Sequence, residues 1–108
     1  MLVRVGALPA EPLGAAARFY GEELARIEAL AVTPDHGEHL VLIFPPADHS
    51  HRAWRLAAVQ ELARKYAPRR INALASSEEA AVAAAERYLA AAPGVTGQLL
   101  PLDGNGAG

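Results

Sequence analysis

The 108-residue sequence contains no cysteine, which excludes a disulfide framework, a cysteine-type zinc site and a thiol nucleophile. It has no apolar stretch approaching the ~20 residues a membrane helix needs, and Met1–Glu11 lacks the basic start and apolar run of a signal peptide. A soluble, cytoplasmic protein is expected. Charge of one sign is lacking too: ten Lys and Arg against twelve Asp and Glu, scattered rather than clustered, give a net charge of -2 and no footprint for nucleic acid. What is present is a 52% hydrophobic composition. At this length roughly 60–70% of the unfolded surface can be buried, enough for one core and not for two. One domain over 1–104 with a flexible tail at 105–108 is expected, and no second catalytic domain.

Leu2–Val5 is a short apolar segment broken at Gly6 and followed by the turn-like Leu8–Pro12, a strand and then a loop. Pro12 suits the first turn of a helix. Leu13, Ala16, Ala17, Tyr20, Leu24 and Ile27 then share one face at the 3.6-residue period, which predicts a helix over about 12–30. Ile27–Val32 also reads as a strand forming a hairpin with the next one. Thr33–Gly37 is a turn, after which Leu40–Phe44 is apolar at every position until Pro45-Pro46 stops it. An unbroken apolar strand is covered on both faces, so this is the central one.

Asp48 or Ser50 caps a helix running to about Tyr66, with Trp54, Ala58, Leu62 and Tyr66 in one stripe and Arg52, Arg55, Gln60 and Glu61 wet. Ile71–Ala75 is a third strand, and Ser76 with Glu79 has capping-box spacing. Ala81, Ala84, Ala85, Tyr88, Leu89 and Ala92 make a third helical face, closed by Pro93-Gly94. Gln98–Leu102 is a fourth strand whose proline suits a sheet edge. Strand and helix alternate throughout, which predicts an α/β fold with a small parallel four-stranded sheet in the order β-α-β-α-β-α-β. Alanine supplies roughly a quarter of the chain, so its helices approach neighbours closely while each buries little area.

Three segments carry a family likeness: Leu62-Ala63-Arg64 with Ala67-Pro68, Arg70-Ile71-Asn72-Ala73-Leu74-Ala75, and Val95-Thr96-Gly97-Gln98-Leu99-Leu100-Pro101-Leu102-Asp103-Gly104. The second is similar to the "IRVNAIAPG" strand, and the third to the "TGQxxxVDGG" ending, of the short-chain dehydrogenase/reductases, a Rossmann-fold family of NAD(P)-dependent oxidoreductases. The likeness covers about half the chain and implies a truncated Rossmann-like sheet, the second half of that fold standing alone. The departures bear on chemistry. No glycine-rich pyrophosphate turn occurs. Pro45 and Pro46 stand where the family has its catalytic serine, and its YxxxK pair falls on Asp48 and Arg52. An aspartate at its usual pKa is ionised and arginine is a permanent cation, so neither replaces a tyrosine acid or its lysine. Ser76-Ser77 replaces the Pro-Gly beside the nicotinamide. No catalytic residue, cofactor or metal is assigned, and dehydrogenase activity is not expected.

In a parallel sheet, ligands lie beyond the carboxyl ends of the strands, here Gly6–Glu11, Pro45–Arg52, Ser76–Glu79 and Asp103–Gly106. The candidate ligand rim is Asp48, His49, His51, Arg52, Ser76 and Ser77. Asp48–Arg52 reads either as a capped, solvated helix start or as an anion or small-molecule site, with His49 and His51 as half of a metal site a third option. His36 and His39, with Asp35 and Glu38, read as a surface cluster. A five-residue strand at ~3.3 Å per residue holds the two histidine groups more than ~16 Å apart, so one metal does not bridge both. Protonating all four histidines would take the formal charge from -2 to +2, one unit each, which makes a pH-dependent association conceivable. Ser76 and Ser77 have no histidine within sequence reach to activate them.

Right-handed crossovers in the order 1-2-3-4 would leave one sheet face bare, although the family likeness suggests the last helix crosses to the opposite side. Leaving Val41, Ile43 and their neighbours wet would forfeit ~1.5–3 kcal/mol each, against a domain's ~5–15 kcal/mol of stability. A second copy is the expected cover. The likeness implies dimerisation through the helices at 12–30 and 50–66, with Phe19, Tyr20, Trp54 and Tyr66 as candidate interface residues and a full-length dehydrogenase as a possible mixed partner. The expected role is a non-catalytic, self-associating or partner-binding module; the alternative is a small-molecule or nucleotide-binding protein or weak enzyme using the rim at 45–52.

Overall fold

The computed structural model describes residues 1–33 and 39–102. Its strands are β1 (Leu2–Arg4), β2 (His39–Phe44), β3 (Arg70–Ala75) and β4 (Leu99–Pro101). They form one parallel sheet in the order β1-β2-β3-β4. The unbroken run Leu40–Phe44 lies in β2, which pairs on both sides, and each of its residues is buried. Pro101 sits in the edge strand β4, where its missing N–H breaks no ladder.

The first connection is one helical rod with a defect. α1 (Pro12–Arg18) starts at Glu11, whose carboxylate accepts from Leu13 N at 2.7 Å and Gly14 N at 2.8 Å. It continues through a π-helical segment (Phe19–Glu23) into α2 (Leu24–Ala31). The alternative of a strand at Ile27–Val32 is therefore overturned. The π segment also shifts the phase of the rod. Ala15, Phe19, Ile27 and Ala31 face the core, while Leu13 is 80% exposed and Tyr20 46% exposed, against the expected stripe.

A 3-10 turn (His49–His51), capped by Asp48, opens α3 (Arg52–Lys65). Its buried side is Arg55, Ala58, Val59, Leu62 and Ala63, so the stripe is centred one residue further along than Trp54-Ala58-Leu62-Tyr66. Trp54 and Tyr66 flank it, half-buried. Arg55, expected in water, is in the interior. α4 (Glu79–Ala90) likewise buries Val82 and Leu89, and Tyr88 points outward at 58% exposure. The capping box does not form: Ser76 Oγ accepts from Glu78 N at 3.0 Å, and Glu79 pairs with Arg4 across the sheet edge at 2.6 Å.

Strand parity divides the core in two. Val3, Leu40, Leu42, Phe44, Ile71, Ala73 and Leu99 face Phe19 of the π-helical segment, α2 and α3. Val41, Ile43 and Leu74 face Val82 and Leu89 of α4. The last helix therefore lies on the opposite face, and because strands are added in one direction its crossover has the opposite hand to the first two. This is the side the family likeness suggested, and the bare face that right-handed crossovers alone would leave does not occur: Val41 is 0% exposed and Ile43 3% within the single chain. The need for a second copy to cover them falls with it. Phe19, offered as an interface residue, is 0% exposed and belongs to the core.

Two adjacent arginines tie both layers to the sheet. Arg69 donates to Ala31 O and to Thr33 O (3.1 Å) at the end of α2, and Arg70 to Leu89 O (2.7 Å) and Ala92 O (2.9 Å) at the end of α4. Cations at helix carboxyl ends add hydrogen bonds to the last carbonyls and interact favourably with the helix dipole. Buried Asn72 fastens the approach to β4, donating to Val95 O and accepting from Gln98 N, both at 3.0 Å. The turn also uses Gly97 at φ +73°, a conformation that favours glycine. The proposed tail, the Asp103–Gly106 rim segment and Asp35, His36 and Glu38 of the first histidine cluster lie outside the described residues.

Candidate functional site

β1 and β2 run side by side, so the loops leaving them open at the same edge of the sheet. Between these loops and the start of α3 lies an open cleft of about 340 Å³, lined by Leu8, Pro9, Ala10, Pro45, Pro46, Ala47, Asp48, His51 and Arg55. The helix start is fastened to the first loop through a buried histidine. His51 Nε2 donates to Ala10 O at 2.9 Å, and its Nδ1 accepts from Trp54 Nε1 at 3.1 Å. A carbonyl only accepts and an indole N–H only donates, which fixes the neutral tautomer with the proton on Nε2. Both ring nitrogens are thereby engaged, and His51 serves as a wall.

Arg55 is the unusual group. Only 4% of it is exposed. Its guanidinium lies 4.6 Å from the centroid of the Phe44 ring and 5.8 Å from that of Trp54, contacts favourable to a cation. Nη1 donates to Pro45 O at 2.9 Å, while Nε is buried without a hydrogen-bond partner. Among the described residues no carboxylate lies within ion-pair distance of it. Burial pulls its pKa down to about 10, so it stays charged at neutral pH.

Asp48 lies at the mouth of the cleft and accepts from Ser50 N at 2.9 Å and from Ser50 Oγ. Those two bonds hold its carboxyl below the usual range. The rim residues named from sequence thus divide. Asp48 and His51 line the cleft; His49 and Arg52 are exposed and do not. Ser76 and Ser77 line a separate recess of about 190 Å³ with Arg4, Val5, Ile43 and Phe44, Pro45 and Pro46 being shared between the two. His39 starts β2, and burial, followed by nearby positive charge, lowers its pKa. Among the described residues no group of three or more His, Cys, Asp or Glu side chains could hold a metal ion.

Sequence reasoning missed Arg55 because an arginine in a helix is read as wet. A signal was present: Arg55, Val59 and Leu62 fall at i, i+4 and i+7, the spacing of a buried stripe.

Compared with known proteins, the chain matches a family model described as short chain dehydrogenase-like protein over residues 3–102. No curated protein and no solved structure matches it.

Proposed function

The chain belongs to the short chain dehydrogenase-like protein family, and from that premise we propose that it is a member without dehydrogenase chemistry that works by self-association. Against dehydrogenase chemistry stands the sequence likeness, in which the family's tyrosine and lysine fall on Asp48 and Arg52. Lys65, the sole lysine, and Tyr66 sit at the carboxyl end of α3, with Lys65 paired to Glu28 at 2.6 Å. Because α3 runs against the strands, that end lies at the sheet edge away from the cleft.

One observation carries the self-association: Leu13 and Tyr20, seven residues apart, stand together on the outside of the first helical rod at 80% and 46% exposure. Exposed Ala17, Ala53 and Ala57 continue a thin face onto neighbouring α3, and small side chains let helices of two copies approach closely. A two-fold dimer would present this face twice. A mixed assembly with a full-length dehydrogenase through the same face is a variant that co-purification tests.

Light scattering at micromolar concentration is expected to give twice the chain mass, and Leu13→Asp the single-chain mass with unchanged far-UV circular dichroism. A wild-type monomer would overturn the association. Nicotinamide-dependent reduction of a carbonyl compound by the pure polypeptide would overturn the absence of dehydrogenase chemistry.

A further inference from the structure

We infer that the cleft between the loops after β1 and β2 binds a small organic monocarboxylate, whose charge is met by the Arg55 guanidinium. A guanidinium has five N–H donors, and among the described residues the protein supplies an acceptor to one of them. A buried charge is normally paired. This one is 96% out of water (4% exposed) and lines the cleft, and among the described residues no carboxylate, Asp48 included, lies within ion-pair distance of it. An anion entering there gains a charge-assisted bond to a guanidinium that is itself shielded from water, and a carboxylate matches the planar fork.

Three features narrow the class. The cleft is about 340 Å³, at the small end of the ~300–1,000 Å³ range of ligand sites. Pro9, Pro45 and Pro46 contribute apolar wall and no N–H, which interrupts the run of backbone amides a phosphate nest requires. Asp48, ionised at the mouth, repels a second negative charge, and neutral His51 has no donor to spare. One cation, apolar walls and a repelling carboxylate select a monoanion with a hydrocarbon body over phosphate, a nucleotide or a dicarboxylate.

The only tryptophan, Trp54, touches Arg55 and reports on the site directly. Its fluorescence would be titrated with benzoate and isobutyrate, then with benzamide, isobutyramide, succinate and inorganic phosphate. The acids are expected to give a saturable change, with each of the other probes at least about tenfold weaker, the loss of one charge-assisted bond. Arg55→Met, which replaces an unpaired buried charge with an apolar chain and so should fold, is expected to weaken benzoate at least about tenfold. Arg55→Lys, which keeps charge but loses the fork, provides the same test should the methionine variant not fold. No saturable response to either acid, equal binding of the amides, phosphate or succinate, or unchanged benzoate binding by the folded variants would each overturn the assignment.

Discussion

Replacing Leu89 with alanine tests whether the chain covers its own sheet. Leu89 is 0% exposed and packs from α4 with Val82 against Val41, Ile43 and Leu74. Removing its three outer carbons at ~0.8 kcal/mol each gives ~2.4 kcal/mol. The cavity left behind raises this into the ~2–5 kcal/mol seen for leucine-to-alanine changes in cores. A loss of about 3 kcal/mol is expected, a large share of a domain's ~5–15 kcal/mol. Urea unfolding followed by circular dichroism measures it, with Tyr88→Ala, 58% exposed on the same helix, as a control expected within about 0.5 kcal/mol of wild type. Because α4 belongs to the same chain, the difference should be equal at low and high protein concentration; any dimer contribution is common to both proteins. A loss below about 1 kcal/mol, or one that changes with concentration, would refute the idea that α4 alone seals this face.

Two further outcomes follow from the hydrogen-bond network. His51→Ala removes the link between Ala10 O and Trp54 Nε1 and should lower stability by about 1–3 kcal/mol, with a shift in Trp54 emission; an unchanged urea midpoint would contradict the clasp. Glu28 accepts from Lys65 and Tyr66, and Glu23 from Gly6 N and Arg26; these bonds hold both carboxyls below their ordinary value of 4.5. A lowered folded-state pKa contributes stability that is present above about pH 4.5 and lost as pH falls through the lowered values. The urea midpoint should therefore drop below about pH 4.5, less steeply in Glu28→Gln, and an identical pH dependence in that variant would count against the assignment.

The strands were legible in the sequence because their signal is local. Leu40–Phe44 is apolar at every position and stopped by two prolines, and it lies in the central strand as read. Helix phase was less legible. A single π segment at Phe19–Glu23 turned Leu13 and Tyr20 outward and left Phe19 in the core, and no residue pattern within the helix announces that insertion. Ser76-x-x-Glu79 failed as a capping box because the helix begins at Glu79 with Glu78 in the cap position, two residues beyond Ser76; Glu79 pairs instead with Arg4, 75 residues away. Crossover rules alone left the side of the last helix open; the family likeness pointed to the opposite face, and α4 lies there. At the site, the loops and Asp48 and His51 were readable from their place at the carboxyl edge. Arg55 was not, since its burial depends on Phe44 and Pro45 arriving from another element.

The absence of native cysteine allows a single spin label to be placed without background, and this gives the most direct measurement of self-association. Ala17 and Ala84 are both exposed, the first on the proposed contact face and the second on α4. Dipolar spectroscopy of singly labelled Ala17→Cys is expected to show a short, well-defined distance between copies, abolished by Leu13→Asp, while Ala84→Cys shows none as short. No intermolecular coupling at Ala17, or a shorter distance at Ala84, would contradict the account.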